Sequence, residues 1–351
     1  MADRVNYVSV IPAKAARGPV REVYAQSKRE IGLLVEAVTV FSADTALLTA
    51  SWAAFREPLV AAGHATRMSK EALAATVSRL NECTYCVDAH TIMLYGGGAA
   101  SVATQLLGGE SAERFDAGFR ELCQWAQDSA AADTVPVAAP FAARQAPEYL
   151  GVLVYFHFLN RVINVLIDGS FLPGSQRARR IARRVGGRLM ARNITARHAA
   201  GQAPGLAAAP GLPLAPDLGW AAGSPGVASA FAALASATDA AAQRALSPAA
   251  RAVVEQAVAG WRGEPHGPSA AWVKQYLTGV ADADRPAVRL ALLTALAPFQ
   301  VAEGDVLAYR TAHPSDGEVL GLVSWAAFLA ARRIGQWTAA AAQLDSARTA
   351  V

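Results

Sequence analysis

A chain of 351 residues, 53% hydrophobic and 17% charged, can bury a large core and is long enough for two domains. Its formal net charge of +4 and pI near 9.1 are too mild to make the whole surface a polyanion-binding one, and no nucleic-acid or membrane partner is expected. Three cysteines exclude a disulfide framework and point to a reducing, cytoplasmic setting with one redox pair.

Abundant alanine and scarce β-branched alternation predict an all-α protein. The opening Met1-Ala2-Asp3-Arg4-Val5-Asn6 lacks a basic stretch followed by an apolar run, so no signal peptide is expected. Residues 1–17 form an irregular lead-in. Val20, Val23, Tyr24, Ile31, Leu34 and Val35 then recur at helical spacing. A second helix starts near Ser42-Ala43-Asp44, buries Leu47, Leu48, Trp52 and Phe55, and stops near Pro58. A helical hairpin over residues 69–95 follows, closed by Gly96-Gly97-Gly98. Ser101 to Leu107 reads as a short helix, and Phe115, Phe119, Leu122 and Trp125 mark another, in which Cys123 is a small buried residue. Residues 129–147 read as a loop with a short helix. Glu148 to Ile167 is a long apolar helix whose His157, Asn160, Arg161 and Asn164 are too polar for a membrane span; His157 reads as a core histidine.

Eight arginines from Arg177 to Arg197 follow. With Gly186-Gly187 interrupting them and no aromatics between, they read as a solvated helix face rather than a nucleic-acid or anionic-membrane patch. Residues 200–228, rich in Gly, Ala and Pro, read as a linker. Beyond it, PAVRLALLTALAPFQVAEGDV repeats the shape of the hairpin with Phe299 and Ala302 at the cysteine positions. Glu148, Leu150, Gly151, Phe158 and Leu159 recur as Glu318, Leu320, Gly321, Phe328 and Leu329, each 170 residues later. The expected organisation is a redox lobe over 1–175, an Arg-rich segment and linker over 176–228, and a related but degenerate second lobe over 229–351.

The hairpin carries the chemistry. In Asn81-Glu82-Cys83-Thr84-Tyr85-Cys86-Val87-Asp88-Ala89-His90, steps of three and four residues put Cys83, Cys86 and His90 on one helical stripe. Asn81 is a plausible helix start, where free N–H groups favour a thiolate, and an imidazolium at His90 would do the same for Cys86. Ser69 is the expected N-cap of the preceding helix. In an antiparallel hairpin Glu71 stands about 13 Å and His90 about 10 Å from the turn, so a carboxylate faces the imidazole. Glu82 favours the helix start, Tyr85 packs, and Asp88, off the stripe, reads as solvated or at an interface.

Glu71, eleven residues, then Cys83-x-x-Cys86-x-x-x-His90 resembles the AhpD-like alkylhydroperoxidase motif of the carboxymuconolactone decarboxylase family. The surrounding KEALAATVSRLNECTYCVDAH resembles that family's core, and the similarity extends over residues 18–170. The resemblance implies an AhpD-like helical bundle in which Cys86 attacks a hydroperoxide and Cys83 resolves the sulfenic acid. His90 then serves as base and acid, and Glu71 holds it. No metal or cofactor is implied. The disulfide would be reduced by a dithiol donor, a thioredoxin-like or lipoyl-type protein, entering at an exposed Cys83. Apolar helices of mixed exposure suggest a homo-oligomer. Three alternatives remain: zinc on Cys83, Cys86 and His90, which lacks a fourth ligand; a lactone decarboxylase, against which the cysteine pair argues; and a redox-sensing or structural protein without turnover.

Overall fold

The computed structural model describes residues 4–108, 116–172, 174–206 and 211–342; Phe115 lies outside them. Helix is the only regular structure among these residues, apart from two isolated bridges, Val5 with Ile167 and Ala61 with His198. The chain is therefore all-α, as its composition predicts.

Local sequence sets the helix starts. Helix α1 (Gly18–Ile31) has Pro19 in its first turn and buries Val20, Val23, Tyr24 and Ile31; Leu34 and Val35 lie beyond its end, and a one-turn α2 (Glu36–Thr39) follows. Asp44 caps α3 (Thr45–Phe55) by accepting from the N–H groups of Ala46 and Leu47. Helix α4 (Arg67–Leu80) begins three residues earlier than expected, because Thr66 and not Ser69 is its N-cap: the Thr66 hydroxyl accepts from the Ser69 N–H. Then come α5 (Thr84–Gly96), α6 (Ala100–Leu106), α7 (Ala117–Asp128) and α8 (Ala146–Leu166).

Helix α8 is long and apolar enough to cross a membrane by length and composition, yet 94% of that stretch is buried inside the protein. It is apolar all round because it has neighbours all round. Helices α4 and α3 lie on it from one half of the chain, and α14 (Asp316–Ala341) from the other. Around α14 pack α10 (Pro225–Ala245), α11 (Pro248–Gly260), α12 (Arg285–Leu296) and α13 (Glu303–Arg310). One hydrophobic core runs continuously from Val8 to Ala339. Phe158 and Phe328, a pair matched at the 170-residue spacing, meet edge-on across the two long helices with ring centroids 5.7 Å apart.

The arginine-rich stretch is an uninterrupted helix, α9 (Gln176–Thr195). Gly186-Gly187 interrupts the arginines without breaking the helix, and Gly187 serves a close approach. A Cβ on Gly187 would stand 2.7 Å from the Gly96 nitrogen and 2.9 Å from the Ile92 carbonyl oxygen, so α9 lies backbone to backbone on α5. Asp88 pins it there. It is buried, not solvated: its carboxylate pairs with Arg183 and accepts from the Ser170 hydroxyl and the Leu172 N–H. Reading Asp88 as solvated fails because a second helix covers the face it occupies.

One buried ion pair sets the height of α4 against α8. Lys70, fully buried, places Nζ 2.9 Å from Glu148 Oε2 and 3.0 Å from the Ala61 carbonyl oxygen. Glu148 also accepts from the His64 N–H at 2.6 Å. Burial pushes the Lys70 ammonium below its ordinary value, and Glu148 opposes that shift. Glu148→Gln leaves the ammonium uncompensated and should destabilise the fold by about 3–5 kcal/mol in urea denaturation. Lys70→Met combined with Glu148→Leu should recover most of that loss, because two apolar side chains leave no charge behind.

Candidate active site

The hairpin is closed by a tight turn. Asn81 caps the end of α4, Glu82 takes a left-handed φ of 53°, and the Cys83 N–H donates to the Ser78 carbonyl at 2.9 Å. Helix α5 starts one residue later than Cys83, which is its N-cap, so Asn81 closes the first helix instead of opening the second. The two helices run back antiparallel, and the heights estimated from helical rise meet: His90 Nδ1 lies 2.5 Å from Glu71 Oε2. Glu71 is fully buried, and its other oxygen accepts from Arg67 Nε at 2.7 Å. Burial pushes the Glu71 carboxyl up, but Arg67 and then His90 outweigh it and hold the group below its ordinary value. Phe156 meets the imidazole edge-on, ring centroids 4.5 Å apart, and limits its rotation.

Both cysteines are reduced and buried, Cys83 at 1% and Cys86 at 2% exposure. The expectation of an exposed Cys83 is thus corrected: the turn folds its side chain inward. The expectation of a ready thiolate at Cys86 is corrected too. Burial pushes its thiol well above the ordinary value and the adjacent Cys83 adds to that, while Asn160 and Ser78 pull the other way by hydrogen bonding. Cys86 needs a base, and His90, one helical turn on, stands about 5–6 Å away at the Cβ level.

Cys86, His90 and Glu71 line one cavity of about 70 Å³, walled mainly by apolar side chains of α1, α3, α5, α8 and the segment between α1 and α3; Cys83 is not part of its wall. Met190 of α9 and Phe171 complete it. Its polar marks are few. Ser51 and Tyr155 hydroxyls share a hydrogen bond of 3.0 Å there, and burial raises the Tyr155 phenol. Tyr85 does more than pack: it lines the cavity and donates to Glu36 at 2.8 Å. Among the described residues no three His, Cys, Asp or Glu side chains converge as metal ligands.

Behind the cysteine turn lies a buried polar cluster that sequence reasoning did not assemble. Asn81 Nδ2 lies 3.1 Å from both His157 Nδ1 and Asn160 Oδ1, and Asn160 donates to Ser78 at 3.2 Å. His157 is indeed a core histidine, pushed well below its ordinary value by burial and by Arg161. Arg161 is 4% exposed and meets no carboxylate among the described residues; burial pushes it down to about 10. Its Nε donates to the Ala295 carbonyl at 2.8 Å and its guanidinium lies 6.0 Å from the Trp261 ring, so residues of the chain's second half hold it in place. Arg67, four residues before Glu71, was legible as an i, i+4 pair; the Arg161 cluster joins three distant segments and carried no local signal.

Fold and site together define an all-α protein with a cysteine pair and an acid-held histidine on one helical hairpin, opening on an apolar cavity. No family model matches the chain. It is 42% identical, over 340 residues, to a Mycobacterium tuberculosis protein named alkyl hydroperoxide reductase, an alignment covering 97% of this chain and 96% of that protein. The chain belongs to the family of that alkyl hydroperoxide reductase.

Proposed function

We propose that this protein is an AhpD-like thiol peroxidase that reduces organic hydroperoxides through Cys86 and Cys83. One observation carries the reading: the imidazole held at 2.5 Å by Glu71 lines the same cavity as Cys86. His90 takes the Cys86 proton. The thiolate attacks the terminal peroxide oxygen, the O–O bond breaks, and Cys86 becomes a sulfenic acid while the alkoxide takes the proton back from His90. Cys83 then attacks the sulfenic sulfur, forming the disulfide and releasing water. A dithiol donor restores both thiols and leaves as its own disulfide. The relative's name supports the hydroperoxide as substrate. The buried sulfurs favour a slim, flexible donor of the lipoyl type over a rigid protein surface, since a thiol must enter the cavity to reach Cys86. A reducing cytoplasm suits three free thiols.

The second lobe is read here as a duplicate that has lost this chemistry. In the hairpin correspondence, Glu71, Cys83, Cys86 and His90 fall on Ala287, Phe299, Ala302 and Val306. In the long-helix correspondence, His157, Asn160 and Arg161 fall on Ala327, Ala330 and Ala331. The decisive experiment is consumption of cumene hydroperoxide with dihydrolipoamide as reductant. Turnover many times the protein concentration is expected; none above the protein-free rate would overturn the peroxidase reading.

A further inference from the structure

The outer face of α9 has no use in the reaction above, and it is unusual. Its inner face, through Gly187, Met190 and Ile194, is committed to α5 and the cavity. On the opposite face Ile181, Val185 and Leu189 stand 55%, 48% and 79% exposed at one-turn spacing, an apolar ridge about 12 Å long. Helical geometry places Arg177, Arg184 and Arg188 along one flank of that ridge and Arg192 within it. The helix holds seven arginines and no acidic residue, and among the described residues only Arg183 meets a carboxylate. The sequence reading of a merely solvated face accounts for the arginines but not for the ridge.

We propose that this face docks on the anionic surface of a lipid bilayer, the ridge entering the acyl boundary and the arginines meeting the headgroup phosphates. A basic helix with exposed aliphatic residues on the same side is the arrangement that combines the two attractions. A nucleic acid would leave Ile181 and Leu189 without an apolar partner. A second copy docking through the same face would oppose arginine to arginine, with no acid to relieve them. On the peroxidase reading, the bilayer would lie beside a cavity whose wall includes Met190 of this same helix, within reach of hydroperoxides carried on acyl chains. The binding claim stands without that reading.

Sedimentation with vesicles tests it, using the full chain at low salt. Binding is expected to phosphatidylglycerol-containing vesicles, with at least a tenfold loss on phosphatidylcholine alone or at high salt. Arg184→Gln and Arg188→Gln should each weaken partition about fivefold. Ile181→Glu combined with Leu189→Glu should abolish it, with turnover of a small soluble hydroperoxide unchanged. Failure to sediment with anionic vesicles would overturn the proposal, as would binding unaffected by the ridge variant. So would a solution oligomer that the ridge variant dissociates, since a second copy would then cover the face. Circular dichroism of the variants separates these outcomes from misfolding.

Discussion

Cys86→Ser should reduce hydroperoxide turnover to the uncatalysed level, a loss of about 10⁴-fold or more, as expected when a covalent nucleophile is removed. Cys83→Ser should behave differently. Cys86 lines the cavity and Cys83 does not, so only Cys86 meets a peroxide held there. The Cys83→Ser protein should therefore consume one equivalent of peroxide and stop at a sulfenic acid, trapped by dimedone as a single adduct on Cys86. Cys86→Ser should give no adduct at all. Adducts in the reverse order would exchange the roles of the two sulfurs. The burial that protects Cys86 also predicts its pH behaviour. With the thiol pushed well above its ordinary value, alkylation by iodoacetamide should be slow at neutral pH and rise about tenfold per pH unit below that raised value. Peroxide, which reaches the thiol with His90 acting as base, should not show so steep a rise.

Much of this site is legible in the sequence because a helical hairpin is nearly one-dimensional. Rise per residue fixes how far Glu71 and His90 stand from the turn, and residues at equal heights on facing helices meet. The same reasoning fails wherever a third element decides. Asp88 lies off the Cys86–His90 stripe, which suggests solvent or an interface without telling which; α9 covers that side and makes it a buried anchor. Cys83 looks like an accessible helix start until the left-handed Glu82 turns its side chain inward. The arginine run signals charge, but composition does not tell which arginines face the protein; Gly187 packed on Gly96 settles that. The cluster around Arg161 is the extreme case. Its members come from the α4–α5 turn, from α8 and from the Ala295 carbonyl of the second half, and only the folded core brings them together.

That cluster gives the second half of the chain a physical role. A guanidinium buried without a carboxylate is costly unless its donors are satisfied and some anion compensates it. Ala295 and Trp261 supply a carbonyl and a ring face, neither of which carries a formal charge. Behind Cys83 and Cys86 the chain therefore keeps a buried positive charge that no carboxylate among the described residues offsets. Through these two contacts the second half of the chain acts as a wall for the half that carries the cysteines.

Glu71→Gln should lower kcat/KM by about 10² to 10⁴, the range that a general acid–base contribution spans, with the loss in kcat rather than KM. Glu71 is spent on the imidazole and Arg67, and the variant leaves the apolar side chains of the cavity unchanged, so binding to that wall should persist. Two effects combine in the loss: the amide no longer offers the charged oxygen that fixes the ring of His90, and Arg67 loses its partner. Glu71→Asp keeps the charge but withdraws it by one methylene, and should give an intermediate rate that tracks how well the 2.5 Å contact can re-form. The pH dependence separates this role from a structural one. Because the Glu71 carboxyl is held below its ordinary value, its contribution to stability is fully present above the unfolded carboxylate pKa and is lost as pH falls through the lower folded value. Stability measured from neutral down to that range should therefore decline less steeply with acid in Glu71→Gln than in the wild type. Activity in the variant should stay low even at neutral pH, where the fold is intact. A variant that melts early but keeps wild-type turnover at neutral pH would make Glu71 a packing residue, and His90 would then need another source of orientation.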